Sequence, residues 1–202
     1  MKEQLLSKAA EMFLTLGVKS VTMDEIAAEM GISKKTIYAH FPTKTKLIEA
    51  TALSFFETIS AGIQEIRNED NDAIEELFQI KEFACQNLKD EKSSPQYQLQ
   101  KYYPKIYATI KDKQKHVLEE LTTENLEKGI AKGIYRKDLP VRFLTRIYFI
   151  GILGIKDREI FGEEEFTTKE LTNMHLEYHL RAIVTPKGLE KLETLLKSQD
   201  KI

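Results

Sequence analysis

Apolar residues recur at three- and four-residue spacing along almost the whole chain, the period of helices buried on one face. Leu5, Leu6, Ala9, Ala10, Phe13 and Leu16 set the first stripe, and Gly17 stands where that helix would end. Thr22 with Glu25 three residues later is a capping-box pattern, and Val21 with Ile26 fits the hydrophobic staple, so a short helix is predicted over about Met23 to Met30. Gly31 follows as a left-handed cap. Ser33 can cap a third helix of about Lys34 to Phe41, with Ile32 and Ile37 at the staple positions, and Pro42 stops it. Thr43 can cap a fourth, whose stripe Leu47, Thr51, Phe55, Ile59, Ile63 and Ile66 runs unbroken to the polar stretch at 67–72.

Further helices are predicted at about Asp72 to Lys89, Gln96 to Tyr103, Pro104 to Lys128, Pro140 to Ile160, Thr167 to Val184 and Pro186 to Lys197. The breaks between them fall at 91–95, 129–140, 161–166 and 185–186. No strand run, repeat or low-complexity segment interrupts this order, and 9 Gly with 5 Pro in 202 residues leave little material for many tight turns. The chain reads as all-α.

Composition narrows the class. With 42% hydrophobic and 31% charged residues the chain can bury a substantial core. A single cysteine, Cys85, excludes an internal disulfide framework and a multi-cysteine zinc site, and its place on the apolar side of its helix reads as a small buried hydrophobe. The longest apolar run, Ile147 to Ile155, is half of what a bilayer span needs, and the first residues lack a signal-peptide pattern, so a soluble, cytoplasmic protein with no membrane partner is expected. The net charge of −2 excludes a globally basic nucleic-acid binder, so the distribution carries the argument. From Gly31 to Ile48 there are Lys34, Lys35, Lys44, Lys46 and His40 but no acidic residue. The compensating charge lies elsewhere, as in Glu69, Asp70, Asp72 and the run Glu163 to Glu165.

Two short helices joined by a tight glycine-containing turn make a helix-turn-helix. On a wheel of the second of them, Ile37 and Phe41 share the inner face, Lys35 and Ala39 point directly away, and Thr36 and Tyr38 flank them. A small, polar, cationic outer face is what a major-groove helix needs. Thr22 and Thr43 sit at helix starts, where a hydroxyl and free backbone N–H groups can meet a phosphate, and Lys44 adds a charge beside the second.

The segment Val21 to Ala50 strongly resembles the N-terminal DNA-binding domain of the TetR family of bacterial transcriptional regulators. Thr22, Ile26, Ala27, Gly31, Ser33, Tyr38, Phe41, Thr43, Lys44 and Leu47 carry the match. The resemblance implies a DNA-binding domain at 1–46 and a helical ligand-binding and dimerisation domain at 47–202. It further implies a homodimer on a near-palindromic double-stranded operator, and no catalytic residue, metal or cofactor. Thr22 and Lys44 would contact phosphate; Lys34, Lys35 and Thr36 would face bases or backbone, with Tyr38 and His40 on flanking phosphates, and Ser33 and Thr43 at their helix starts complete the DNA-binding set. The position of Lys35 is often glycine in the family, so lysine there adds charge and bulk.

The family also implies an effector pocket and dimerisation through the helices at 140–160 and 167–184. Phe143, Ile147, Ile150, Gly151 and Gly154 give an apolar stripe with small residues, and Tyr148, Phe149 and Ile152 form a second apolar set on the same helix. Phe55, Phe78, Phe83, Tyr103, Tyr107 and Phe149 are the candidates to line a pocket for a small apolar or aromatic effector. His175 and His179 lie one turn apart, a spacing that can bind metal, but Glu177 sits between them and no third ligand is evident. They read as a partly buried interface pair, and His116, among lysines, as a surface residue. The expected function is a ligand-responsive repressor; the alternative is a helix-turn-helix protein controlled by a protein partner, and a metal-binding or enzymatic bundle is the weakest rival.

Overall fold

The computed structural model describes residues 1–87, 95–157, 159–162 and 164–199. Ten helices follow in order among them: α1 (Lys2–Leu16), α2 (Met23–Glu29), α3 (Lys34–His40), α4 (Lys44–Arg67), α5 (Ala73–Asn87), α6 (Pro95–Tyr102), α7 (Pro104–Ala131), α8 (Val141–Gly154), α9 (Thr168–Ile183) and α10 (Pro186–Gln199). The only extended pairing among the described residues is an isolated bridge between Tyr135 and Val184. The fold is all-α, as the periodicity predicts.

The boundary that differs most is the end of α8. The apolar pattern predicts a helix to Ile160, but α8 ends at Gly154. There the N–H of Asp157 turns back to the Gly154 carbonyl at 3.0 Å, and the Asp157 carboxylate accepts the N–H of Glu159 at 2.9 Å. A short acceptor side chain that bonds its own backbone competes with helix continuation. The break at 91–94 and Glu163 lie outside the described residues, and Cys85 is half-buried rather than fully enclosed.

Packing divides the chain into two compact units, Met1–Ala61 with Asn87–Gln114, and Gly62–Gln86 with Lys115–Ile202. The helices α4 and α7 contribute residues to both. In the first unit Leu5, Phe13, Val21, Ile26, Ile37, Phe41, Leu47 and Ile48 close a core that Ile106 of α7 completes. Leu99 and Tyr103 pack against it, so α6 belongs to the domain that carries the helix-turn-helix.

The second unit is apolar at Ile74, Leu77, Leu126, Leu176, Leu180, Ile183 and Leu192, but a buried polar cluster runs through it. Glu76 accepts the Asn125 amide at 2.8 Å and the Lys128 ammonium at 2.6 Å. The same amide group donates to the Ala73 carbonyl at 2.9 Å, and the Tyr135 hydroxyl donates to the Asn125 side-chain oxygen at 3.1 Å. Burial pushes the Tyr135 hydroxyl pKa well up, helped by the nearby carboxylates of Asp72 and Glu76, so it stays a donor. Every partner is satisfied, which is the condition under which buried polar groups rigidify a core.

Removing one partner leaves the others buried and unpaired. Glu76→Ala is expected to lower unfolding free energy by about 3 kcal/mol, measured by urea titration, and Glu76→Gln by less. Equal stability of Glu76→Ala and the wild type would show that the cluster holds nothing.

Candidate nucleic-acid interface

The helix α3 is seven residues long and carries its own start and stop. The Ser33 hydroxyl accepts the Thr36 N–H at 3.1 Å, as the sequence predicts. Before it, Gly31 at φ 63° takes the left-handed turn. Its N–H bonds to the Ala28 carbonyl at 3.1 Å while that of Ile32 reaches the Ala27 carbonyl at 3.0 Å, the two bonds of a Schellman motif. The angle between α2 and α3 is thus fixed by backbone bonds and by Ile26 and Ile37, both fully buried.

That burial turns the other face outward. Lys34, Lys35, Tyr38, Ala39 and His40 are exposed and Thr36 is half-buried, so the face expected to meet DNA is on the surface. The cations are not equivalent. The Lys34 ammonium bonds the Asp24 carboxylate of α2 at 2.7 Å, which raises its pKa, and lies over the Tyr38 ring at 6.0 Å. Lys35 has no carboxylate partner among the described residues.

At the start of α2 the capping box is complete. The Thr22 hydroxyl accepts the Glu25 N–H at 3.2 Å and donates to the Glu25 carboxylate at 2.9 Å, which also accepts the Thr22 N–H at 2.7 Å. These bonds hold the Glu25 carboxyl below the usual carboxylate range, the backbone donor being the larger cause. A phosphate at Thr22 would therefore share the helix start with a carboxylate. Thr43 caps α4 by accepting the Lys46 N–H at 3.1 Å. Lys44, half-buried, donates to the Lys19 carbonyl at 3.0 Å; partial burial lowers its pKa while Glu25 nearby opposes that.

The six aromatic candidates for a pocket divide between the units. Phe55, Tyr103 and Tyr107 belong to the first, where Tyr103 packs on the core; Phe78, Phe83 and Phe149 belong to the second. The Phe83 ring lies where a side chain on Gly62 would be.

The histidine pair faces inward. Tyr148 of α8 stacks on His175 with centroids 5.1 Å apart and meets His179 at 4.4 Å, and a Cβ on Gly151 would come within 2.1 Å of His175 Nε2. Gly151, His175 and His179 therefore join α8 to α9 inside one protomer, with His179 buried and Gly151 and His175 half-buried. Glu177 pairs with Arg181 at 2.7 Å and takes no part in the histidine contact. Among the described residues no group of three His, Cys, Asp or Glu could hold a metal.

The outer side of the same helices is apolar and open. Phe143 (62% exposed), Ile147 and Ile150 (60%) on α8, with Met174 and Tyr178 (78%) on α9, are among the largest exposed hydrophobics. Tyr148 meets both histidines while Gly151, further along α8, meets the earlier one, so the two helices run in opposite senses. Each exposed stripe is turned from the contact line in the same rotational sense, which in an antiparallel pair puts both on one face. Met174 and Tyr178 were absent from the sequence-based interface; their spacing of four was the available signal.

Residues 5–51 match the family model of bacterial regulatory proteins, tetR family. The chain is 29% identical over 80 residues, 40% of its length, to IcaR of Staphylococcus aureus (strain Newman), an HTH-type negative transcriptional regulator of the biofilm operon icaADBC. It is 30% identical over 80 residues to the nucleoid occlusion factor SlmA of Photobacterium profundum. These matches span 43% and 41% of the relatives' own lengths. Among solved structures, reduced NemR of E. coli superimposes with TM-score 0.71 at 15% identity over 92% of this chain and 97% of that one. A TetR-family regulator of Agrobacterium tumefaciens gives 0.70 at 19% identity over 92% and 100%. At such identities the likeness is one of fold. No helix among the described residues is long and apolar enough to cross a membrane.

The buried histidine makes stability depend on pH. Burial, reinforced by His175, depresses the His179 pKa from 6.5 to about 4. Above about pH 6.5 both folded and unfolded states are neutral at this position and stability is complete; as pH falls towards 4 only the unfolded chain takes up the proton. About 2 kcal/mol is expected to be lost between pH 7 and pH 5, read from urea midpoints, and His179→Leu should flatten that slope. An unchanged slope in His179→Leu would assign the loss to other groups.

Proposed function

Because the chain belongs, through residues 5–51, to the tetR family of bacterial regulatory proteins, we propose that it is a transcriptional regulator that binds a near-palindromic operator as a homodimer. The observation that carries this reading is the outer face of α3. Ile37 and Phe41 anchor the helix inward, and Lys35, Thr36, Tyr38 and Ala39 are left to meet base edges. Lys44, Thr22 and Thr43 supply phosphate contacts around it, with Ser33, Lys34 and His40 at the margins. On DNA Lys34 exchanges Asp24 for a phosphate or a guanine edge.

Two copies pair through the apolar face of α8 and α9. Phe143, Ile147, Ile150, Met174 and Tyr178 form its centre, and Gly154, where a side chain would meet open space, lets a partner helix approach. Gly151, His175 and His179 support that face from behind. Pairing must bring the two α3 helices about 34 to 36 Å apart for successive major grooves.

Regulation by a small apolar or aromatic effector completes the proposal, with Phe78, Phe83 and Phe149 of the second unit as lining candidates. An effector shifts operator affinity only by the difference in its affinity for the DNA-competent and incompetent dimers. Since α4 begins at the DNA-contacting Lys44 and ends in the second unit, its tilt is the natural lever. Repression is the expected sign.

Selection of bound duplexes from a random pool is the decisive experiment. A palindromic motif is expected; recovery of sequences without any motif would overturn sequence-specific regulation. On the selected site Lys44→Ala should weaken all sequences alike and reduce the salt slope by about one per protomer, while Lys35→Ala should change base preference. For the dimer, Ile150→Glu should give a monomer in sedimentation equilibrium with its helicity intact, and a retained dimer would place the interface elsewhere.

A further inference from the structure

We propose that Lys19, Tyr97, Lys101 and Tyr102 form a second DNA contact, which grips backbone phosphates flanking the sequence read by α3. The inference rests on the regulator reading and extends its footprint beyond the helix-turn-helix.

The composition of this region sets it apart. Between 96 and 115 there are five lysines and four tyrosines against a single acidic residue, Asp112. In the first unit α6 brings the front of that segment onto the turn between α1 and α2. The Gln98 side-chain oxygen accepts the Lys19 N–H at 3.0 Å, and its amide lies where a Cβ on Gly17 would be, 2.4 Å away. Gly17 at φ 86° thus admits α6 to the turn both by its backbone conformation and by its lack of a side chain. On the same turn the Lys19 carbonyl accepts the ammonium of Lys44. One short peptide therefore joins α6 to the residue proposed to hold a phosphate at the start of α4.

The side chains on this brace are cations on aromatic faces. The Lys19 ammonium lies 4.6 Å from the centroid of the Tyr102 ring, and that of Lys101 lies 5.6 Å from the same ring and 5.5 Å from Tyr97. Tyr97 is 59% exposed and Tyr102 40%, so neither ring is there to fill a core. Three lysines of this unit are occupied by carboxylates, Lys8 by Glu11, Lys34 by Asp24 and Lys46 by Glu49, whereas among the described residues Lys35, on the face proposed to meet DNA, is not. Among the described residues Lys19 and Lys101 have none. Among the described residues a phosphate need displace no carboxylate to reach them, and the Tyr102 hydroxyl offers it a donor. Continuity with Lys44 favours the phosphates beside the operator half-site over an acidic protein segment as the occupant.

The test uses the full chain and two duplexes bearing the same selected site, one ending at the site and one extended by about one helical turn on each side. Fluorescence anisotropy is followed over a salt series. The wild type should bind the extended duplex more tightly. On it the double variant Lys19→Gln, Lys101→Gln should bind on the order of ten-fold more weakly, with a salt slope smaller by about two per protomer. On the short duplex the variant should match the wild type, and Lys19→Arg, Lys101→Arg should restore binding on the long one. Thermal melting checks the brace, which uses the backbone of Lys19 and so survives the change.

Equal affinities and slopes on the extended duplex would overturn the proposal and assign the cluster to another ligand. If Lys44→Ala weakens binding while the double variant does not, the flank contact fails and the regulator reading stands. If the wild type selects no sequence at all, both fail together.

Discussion

A recognition helix of seven residues cannot hold itself, and everything proposed about DNA depends on how that deficit is met. Nucleation costs more than so few hydrogen bonds return, so an isolated segment of this length would be unfolded. Ile37 settles the matter: fully buried among Val21, Ile26 and Leu47, it fixes both the existence of α3 and its rotation. The Schellman turn at Gly31 and the cap at Ser33 then fix its direction. Specificity is possible because Lys35 and Ala39, which point directly away from the core, are exposed and take no part in that packing.

The same logic explains why α6 and the start of α7 belong to the unit that carries the helix-turn-helix. Three short helices bury little surface by themselves. Ile106, with Leu99 and Tyr103 packed alongside, closes the side of the core that α1 to α4 leave open. A domain ending near residue 46 is a unit of sequence pattern, whereas the packing unit takes in residues beyond it. The cost of that arrangement is a strict requirement at Gly17, where α6 touches the turn.

Much of the fold was legible because local signals agreed with one another. The Thr22 to Glu25 box, the Gly31 turn, the Ser33 cap and the break at Pro42 each act within a few residues, and all four recur in the structure. The exposed face of α3 followed from the same wheel that buried Ile37 and Phe41. The rest needed contacts between distant positions. Glu76 with Asn125, Gln98 with Lys19, and Tyr148 with His175 are separated by dozens of residues, and periodicity gives the face on which a residue lies without giving what it meets. Gly151 shows the limit well: a small residue on an apolar stripe predicts close approach of another helix, and only the structure identifies His175 of the same chain as what approaches it. The Thr167 to Glu170 capping box, by contrast, was a local signal available in the sequence and not used.

The apolar face of α8 and α9 is what favours the proposed association of two copies. Five large side chains lie open on one side of the helix pair. At roughly 25 cal/mol per Å² of apolar surface removed from water, covering such a face contributes several kcal/mol before the entropy of association is charged against it. A small monomer rarely leaves so much contiguous apolar surface uncovered. The histidines directly behind that face are neutral near pH 7 because burial penalises their charged form, so the layer behind the exposed side chains stays uncharged.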